Sequence, residues 1–201
     1  EKSDYEEKNI PKQGLKAIVQ AAKELKRRIR TIFTSTPTLS GLYKYQTWLT
    51  LKLYSSGIAF RNDLPTINIE SKKGNYLVKQ KNKFIIVMTD YKNSDRLGEK
   101  RITLSRPAQM ALKKFLVYRN DIGEITHEFL FSLRSGQPMT KSAFSQMLIK
   151  TTDALLQKKI GTRLLRVMFA TSNKEILRQS KEISEKLLHS SKQSIQYIRD
   201  K

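Results

Sequence analysis

Apolar residues recur at helical spacing in six stretches of the chain, and each stretch predicts a helix with one buried face. These stretches cover roughly residues 15–29, 42–53, 105–116, 140–155, 163–171 and 172–189. In the third and fourth stretches the residues expected to face the core are Met110, Leu112, Phe115, Leu116, Phe144, Leu148, Thr151 and Leu155. Trp48 lies beside the apolar stripe of the second stretch, which favours a place in the core.

A small antiparallel sheet is predicted between the second and third helical stretches. Strand-sized runs occupy residues 76–79, 83–88 and 101–104, and Gln80-Lys81-Asn82 is typical of a hairpin turn. Residues 1–13 are charged and contain Pro11, so we interpret them as a linker or loose arm. We therefore expect an arm and a basic helix in residues 1–35. A mainly α domain with a small antiparallel sheet (α+β) follows in residues 36–201.

The charge balance narrows the class of partner. The chain has 201 residues, of which 38% are hydrophobic, and a net charge of +21 with a sequence pI near 10.1. Such an imbalance causes self-repulsion unless an anionic partner offsets it. Nucleic acid is the first candidate and an anionic membrane surface the second.

Other features concern compartment and cofactors. The sequence has no apolar run near the roughly 20 residues that span a bilayer, and no secretory signal. It has no cysteine, which excludes disulfides and cysteine-based zinc sites. His127 has no partner at metal-ligand spacing, so we interpret it as incidental. We expect an intracellular protein that is neither secreted nor membrane-bound, and a chain beginning at Glu1 to be a fragment of a longer one.

The predicted helix over residues 15–29 carries a basic outer face. Its cations, with the one that follows, are Lys23, Lys26, Arg27, Arg28 and Arg30. A run of charges is usually a solvated face, and that interpretation stays open. Because nearly all of these charges have one sign, we favour a stripe that faces the phosphates of DNA.

Near the end of the chain the residue types suit phosphate chemistry. Arg163 and Arg166 are three apart and so share one face of a helix. Arginine binds phosphate oxygens as a bidentate fork, and His189 adds a donor near neutral pH. The hydroxyl of Tyr197 can attack phosphorus when neighbours assist its deprotonation. From spacing alone, a basic surface helix with a core tyrosine remains the simpler alternative.

The sequences of these segments resemble motifs of the tyrosine recombinase (integrase) family. The resemblance lies in Leu-Leu-Arg166-Val-Met-Phe-Ala-Thr171, then Leu-Leu-His189-Ser-Ser, then Tyr197. It implies Arg166 as the second catalytic arginine, His189 as the third-box histidine and Tyr197 as the nucleophile. Arg163 stands where the family usually has histidine or lysine. These motifs most resemble those of recombinases from large eukaryotic DNA viruses, virophages and related mobile elements.

Two further site residues follow only from the resemblance. The family's first arginine lies near Asp63-Leu64, where an alignment without a gap places Phe60 and a slip of one residue places Arg61. We favour Arg61, because the chemistry needs a cation there. The family also carries a lysine on the turn before its third strand. Tyr91-Lys92-Asn-Ser resembles that pattern, so Lys92 is preferred and Lys100 is the alternative.

The resemblance implies a catalytic domain in residues 36–201 that cleaves and rejoins duplex DNA through a covalent 3′-phosphotyrosyl intermediate. Neither ATP, a metal nor another cofactor is implied, and dimers to tetramers would exchange strands between two DNA sites. One rival is a type IB topoisomerase, which uses the same chemistry to relax supercoils. Another is a DNA-binding relative on this fold with weakened or lost catalysis, for which Phe60 is the best argument.

Overall fold

The computed structural model describes residues 3–81 and 83–174 of the chain. The helices are α1 (Asp4–Asn9), α2 (Leu15–Arg28), α3 (Leu39–Ser55), α4 (Ser94–Leu97), α5 (Arg106–Asn120), α6 (Lys141–Leu156) and α7 (Thr162–Ser172). Short 3₁₀ helices lie at Arg30–Phe33 and Leu64–Thr66. The strands β1 (Tyr76–Gln80), β2 (Lys83–Met88) and β3 (Lys100–Thr103) form one antiparallel sheet in that order. This architecture confirms the prediction of a mainly helical fold with a small antiparallel sheet.

Helix α3 runs through the centre of the fold and is buried on most of its surface. Its N-terminus is capped by Thr38, whose hydroxyl accepts from the Gly41 amide at 3.0 Å. It packs against α2, α5 and α6, and Leu49 and Trp48 both lie in the core, as the sequence predicts for Trp48. A helix that is apolar on several sides is explained by such multiple neighbours.

Helix α2 buries one face against α3 and leaves its basic face outside. Ile18, Ala21 and Ala22 are buried in the same hydrophobic core as Leu49 of α3. The amphipathic pattern predicted for residues 15–29 is therefore present, with its apolar side inward. The division of the chain at residues 35 and 36 stays a prediction.

The first residues of the described chain are docked, so the prediction of a loose arm is wrong for residues 4–9. Ser3 caps α1 by accepting from the Glu6 amide at 3.3 Å. The Tyr5 hydroxyl donates to the Lys159 carbonyl at 2.8 Å, and the Lys159 amide donates to the Asn9 side chain at 2.8 Å. A helix of six residues is too short to show a period, and its anchors are polar, which explains why the pattern missed it.

The inner faces of α5 and α6 differ in part from the prediction. Met110 is 55% exposed, whereas Ala111 and Tyr118 are buried together with the correctly predicted Leu112 and Phe115. In α6 the fully buried threonine is Thr152, and the Thr151 hydroxyl donates to the Met147 carbonyl. Each helix therefore buries part of the predicted set, and residues that the apolar pattern did not single out fill the rest of the buried face.

Both strand pairs of the sheet are antiparallel. Tyr76 pairs with Val87, and Ile85 with Thr103, so β3 begins one residue earlier than predicted. Across residues 3–81 and 83–174, every helix is too short or too polar to cross a lipid bilayer.

Candidate functional site

A loop of five residues after α3, residues 59–63, forms one wall of the candidate site; we call it the site loop. Phe60 is fully buried, while Arg61 is partly exposed. The Tyr54 hydroxyl lies 2.9 Å from the carbonyl oxygens of both Phe60 and Arg61. Burial raises the pKa of Tyr54 far above its ordinary value, so this hydroxyl stays protonated and donates to the loop.

Helix α7 holds the site loop from a second side. Arg166 is 2% exposed, and its Nε donates to the Ala59 carbonyl at 3.0 Å. One turn earlier, the Thr162 hydroxyl donates to the Asn62 side-chain oxygen at 2.9 Å. The spacing of Thr162 and Arg166 places both on the face of α7 that meets the loop. This arrangement fixes the arginine and the loop relative to each other.

Helix α6 holds the same loop from a third side. Lys141 is the first residue of α6, whose N-cap Thr140 accepts from the Ala143 amide at 3.1 Å. The Lys141 ammonium lies 2.9 Å from the Asp63 carboxylate, and the exposed side-chain fractions are 50% and 7%. The buried carboxylate thus has a cationic partner, as buried charges require.

These elements surround a cavity of about 670 Å³. The residues that line it are Arg61, Asn62, Asp63, Asp90, Tyr91, Lys92, Lys141, Thr162, Arg163 and Arg166. Four of the six catalytic residues predicted from the sequence are therefore brought together here. Five of the lining side chains are cationic and two are carboxylates, so the cavity suits an anion.

The turn between β2 and β3 brings Lys92 to the cavity. The Asn75 side chain accepts from the Thr89 and Asp90 amides at 2.9 and 2.8 Å and donates to the Asp90 carbonyl. Tyr91 is buried, and its hydroxyl donates to the Gly98 carbonyl at 2.8 Å. Lys92 itself is exposed, so an anchored backbone carries a side chain that is free to reach into the site. The alternative, Lys100, lies at the start of β3 and is not among the residues that line the cavity.

Arg163 reaches the cavity from the first turn of α7. Its side chain is 71% exposed, and its Nη2 lies 3.1 Å from the Glu6 carboxylate of helix α1. Sequence reasoning gave this arginine no partner, because the two residues are 157 positions apart. Lys141 was missed for a similar reason, because its partner Asp63 lies 78 positions away in the sequence.

Two predicted site residues, His189 and Tyr197, lie outside the described residues, as does most of the helix predicted over residues 172–189. In the described part of the chain, no cluster of three histidine or acidic side chains could hold a metal ion. His127 lies in the loop before Phe131, where its Nε2 is 3.0 Å from the Ser132 hydroxyl. It therefore has a structural contact there.

The cations predicted to contact DNA, Lys23, Lys26, Arg27, Arg28 and Arg30, are all exposed. Arg27 and Arg28 both bind the carboxylate of Glu24, at 2.9 and 2.8 Å. These hydrogen bonds lower the pKa of Glu24 to about 2. The Lys26 ammonium lies 5.8 Å from the centre of the Trp48 ring. Part of the basic charge is thus offset within the helix itself.

Comparison with known proteins identifies the fold. No family model and no curated protein matches this sequence. Among solved structures, the chain superposes on XerA recombinase with a TM-score of 0.65 and 16% identity over 96% of its length. It superposes on XerH site-specific recombinase bound to a palindromic difH substrate, in a post-cleavage complex, with a TM-score of 0.64 and 15% identity over 96% of its length. The fold is that of a tyrosine recombinase catalytic domain.

At this level of identity the likeness establishes the fold alone. The chain spans 60% of the XerA structure and 49% of the XerH structure. A second XerH structure, a pre-cleavage complex with difH, gives a TM-score of 0.63. On the tyrosine recombinase fold of this chain, the cavity lies where the site loop, α6, α7 and the turn after β2 meet.

Proposed function

We propose that this protein is a DNA strand transferase that cleaves and rejoins duplex DNA through a 3′-phosphotyrosyl intermediate. The observation that carries the proposal is the convergence of Arg61, Lys92, Arg163 and Arg166 from three separate segments on one cavity. Two of the solved structures with this fold are complexes of XerH with a DNA substrate. The net charge of +21 supports a polyanionic partner.

In the proposed reaction the phenolic oxygen of Tyr197 attacks the scissile phosphorus, and a neighbouring base takes its proton. A bond forms between that oxygen and phosphorus, and the bond from phosphorus to the 5′ oxygen breaks. Lys92 donates a proton to the departing 5′ oxygen. The reverse sequence, with a 5′ hydroxyl as attacking group, rejoins the strand. The phosphotyrosine conserves the bond energy, so neither ATP nor a metal is needed.

The arginines are proposed to bind the non-bridging oxygens, on which negative charge builds in the transition state. Arg166 is suited to this role because its contact with the Ala59 carbonyl fixes it before DNA arrives. Arg61 is suited because the site loop that carries it is held by Tyr54, α6 and α7. Arg163 and His189 would support the same oxygens. Donors that are already in place need little reorganisation during the reaction.

In the full reaction we propose that two to four protomers assemble on two DNA sites and exchange strands between them. A role in integrating a virus or mobile element would agree with the wording of the sequence. Both proposals depend on the proposed chemistry.

The decisive experiment is covalent trapping on a nicked suicide duplex, from which the cleaved strand diffuses away. The wild-type protein should form an adduct that survives denaturation, and peptide mapping should place the DNA on Tyr197. Tyr197→Phe should bind DNA equally well and form no adduct. Tyr76→Phe on β1 is the matched control and should form the adduct at the wild-type rate. An adduct that persists in Tyr197→Phe would overturn the assignment.

A second candidate is a DNA-binding relative that has lost catalysis. It is favoured by one observation, the full burial of Phe60 at the position where an ungapped alignment puts an arginine. This candidate predicts salt-dependent binding to duplex DNA with no covalent adduct under any substrate design.

A further inference from the structure

Glu6 of helix α1 is a buried carboxylate that binds a cation of the candidate site. It is 1% exposed, whereas the Arg163 side chain that it binds at 3.1 Å is 71% exposed. A long arginine side chain with that much exposure samples many rotamers unless something restrains it. The contact with Glu6 supplies such a restraint, whereas Thr162 and Arg166 of α7 bind the site loop.

The helix that carries Glu6 is attached close to Arg163 by polar contacts. The residues involved are Lys158 and Lys159, in the connection that leads into α7. The Lys159 backbone both donates to Asn9 and accepts from Tyr5, at 2.8 Å in each case. The Lys158 ammonium donates to the Lys8 carbonyl at 2.6 Å. Helix α1 and the start of α7 are therefore held together within a few residues of Arg163.

The geometry indicates that Glu6 restrains Arg163 and does not mask it. Arg163 lines the cavity, whereas Glu6 does not. The ion pair uses Nη2, and a guanidinium has five N–H donors, so donors remain for a phosphate. The carboxylate is buried, which keeps it out of competition with a phosphate that enters from solvent.

We propose that Glu6 is a positioning residue that holds Arg163 in the orientation needed to bind the scissile phosphate, so that helix α1 is part of the site. This inference rests on the proposed function. It also moves the functional boundary of the catalytic unit upstream of residue 36, to include residues 3–9.

The test is a double-mutant cycle on single-turnover cleavage of the nicked duplex, with wild type, Glu6→Ala, Arg163→Ala and the double variant. Arg163→Ala should slow cleavage by about 10²-fold, and Glu6→Ala by about tenfold or more because the arginine is misplaced. The double variant should be no slower than Arg163→Ala. Glu6→Gln, which keeps an acceptor of the same length, should recover part of the rate. Glu7→Ala, which removes an exposed carboxylate of the same helix, is the control and should cleave as wild type does.

Several results would overturn the proposal. They are wild-type cleavage by Glu6→Ala, faster cleavage by Glu6→Ala, and a double variant slowed by the product of the two single effects. If Glu6→Ala fails to fold, the cycle is run with Glu6→Gln. If wild type forms no adduct, the proposed function fails, and the same four proteins are compared by their affinity for duplex DNA at low salt. The positioning role is supported if Glu6→Ala and Arg163→Ala each weaken binding equally and the double variant binds no more weakly than either. It is refuted if the two losses of affinity add or if Glu6→Ala loses none.

Discussion

The cavity and the outer face of α2 are both rich in cations, yet they differ in how those cations are held. In the cavity Arg166 is 2% exposed and bound to the Ala59 carbonyl, and Lys141 binds a carboxylate that is 7% exposed. On α2 the Arg27 and Arg28 side chains are 77% and 55% exposed and share one carboxylate on the same helix. The two cavity cations are thus held by residues distant in the sequence, whereas the two α2 cations are held by a residue of their own helix.

The difference separates two uses of positive charge. A cation that stabilises a transition state must occupy one position to a fraction of an ångström, so its contacts must be made before the substrate binds. A cation that attracts a DNA backbone acts through its charge, and its contribution is screened by salt. We therefore expect substitutions in the cavity to change rate and stability, and substitutions on α2 to change affinity and its salt dependence.

The largest effect is expected from Arg166→Met, which keeps much of the volume and removes the donors. Cleavage should fall by at least about 10²–10³-fold. The free energy of unfolding should also fall, by about 1–3 kcal/mol, since the buried Ala59 carbonyl loses a donor. Single-turnover cleavage and urea unfolding measure the two effects. The matched control is Arg30→Met beside α2, which should change unfolding by less than about 0.5 kcal/mol. Equal effects of the two changes would remove the distinction between the regions.

The next effect concerns the choice between Phe60 and Arg61 in the site loop. Arg61→Ala should slow cleavage by about 10²–10³-fold with nearly unchanged affinity, and Arg61→Lys should restore little because a point charge cannot replace the fork. Phe60→Arg should destabilise the protein by at least about 3 kcal/mol, because it puts a charge where a ring is fully buried. Thermal unfolding and single-turnover cleavage of these variants measure the expected changes in stability and rate. Normal cleavage by Arg61→Ala together with faster cleavage by Phe60→Arg would mean that the ungapped alignment is correct.

A smaller effect is expected from Lys141→Met, which leaves the Asp63 carboxylate without its lysine partner. Because the Lys141 side chain is half exposed, the loss in unfolding free energy should be about 1–2 kcal/mol, below the value for a fully buried pair. Adding Asp63→Asn should recover most of it, since no buried charge then remains. Lys150→Met, at an exposed position of the same helix, is the control and should be near neutral. A failure of Asp63→Asn to compensate would show that Lys141 acts through something other than this pair.

Elements with a long amphipathic period and a capping residue were predictable from the sequence. Helix α6 is an example, because Thr140 caps it and Phe144 and Leu148 face the core as expected. Helix α1 was not predictable, since its six residues carry no period and its anchors lie more than 140 positions away. The inner face of α5 was predicted in part. A tyrosine, Tyr118, takes a core position next to Gly41 of α3, where any side chain would collide with its hydroxyl, and Met110 faces outward.

The residues of the candidate site were also predictable from the sequence only in part. Arg163 and Arg166 were identified because their spacing and wording lie within one short segment. Their partners, Glu6 and the Ala59 carbonyl, lie 157 and 107 positions away, and pairing over such distances depends on the whole fold. The same holds for Lys141 and Asp63, which are 78 positions apart. A cation can be recognised from its neighbours in sequence, whereas the group that fixes it cannot.

On α2 the combined change Lys26→Ala, Arg27→Ala and Arg28→Ala should flatten the dependence of DNA affinity on salt. Each phosphate contact that is lost changes the log–log slope by about 0.9. The control changes the net charge equally at the exposed residues Lys113, Lys114 and Lys150 on α5 and α6. Titrations of duplex DNA at several salt concentrations measure both slopes. Equal slopes for the two triple variants would mean that the basic face of α2 is exposed to solvent and does not contact DNA.

The smallest effect is expected from Glu24→Gln, which tests whether the local carboxylate restrains the α2 cations. Glu24 neutralises part of the charge of Arg27 and Arg28, so removing its charge should raise DNA affinity by a small factor and steepen the salt dependence slightly. The pKa of Glu24 is lowered from 4.5 to about 2 by its hydrogen bonds to Arg27 and Arg28. A lowered pKa means that the carboxylate is charged, and its ion pairs present, at any pH above the unfolded value, and that they are lost only as the pH falls toward 2. The difference in affinity between wild type and Glu24→Gln should therefore stay constant between about pH 5 and 8. A difference that grew or vanished within that range would assign the effect to another titrating group, and an unchanged affinity would mean that these arginines do not contact DNA.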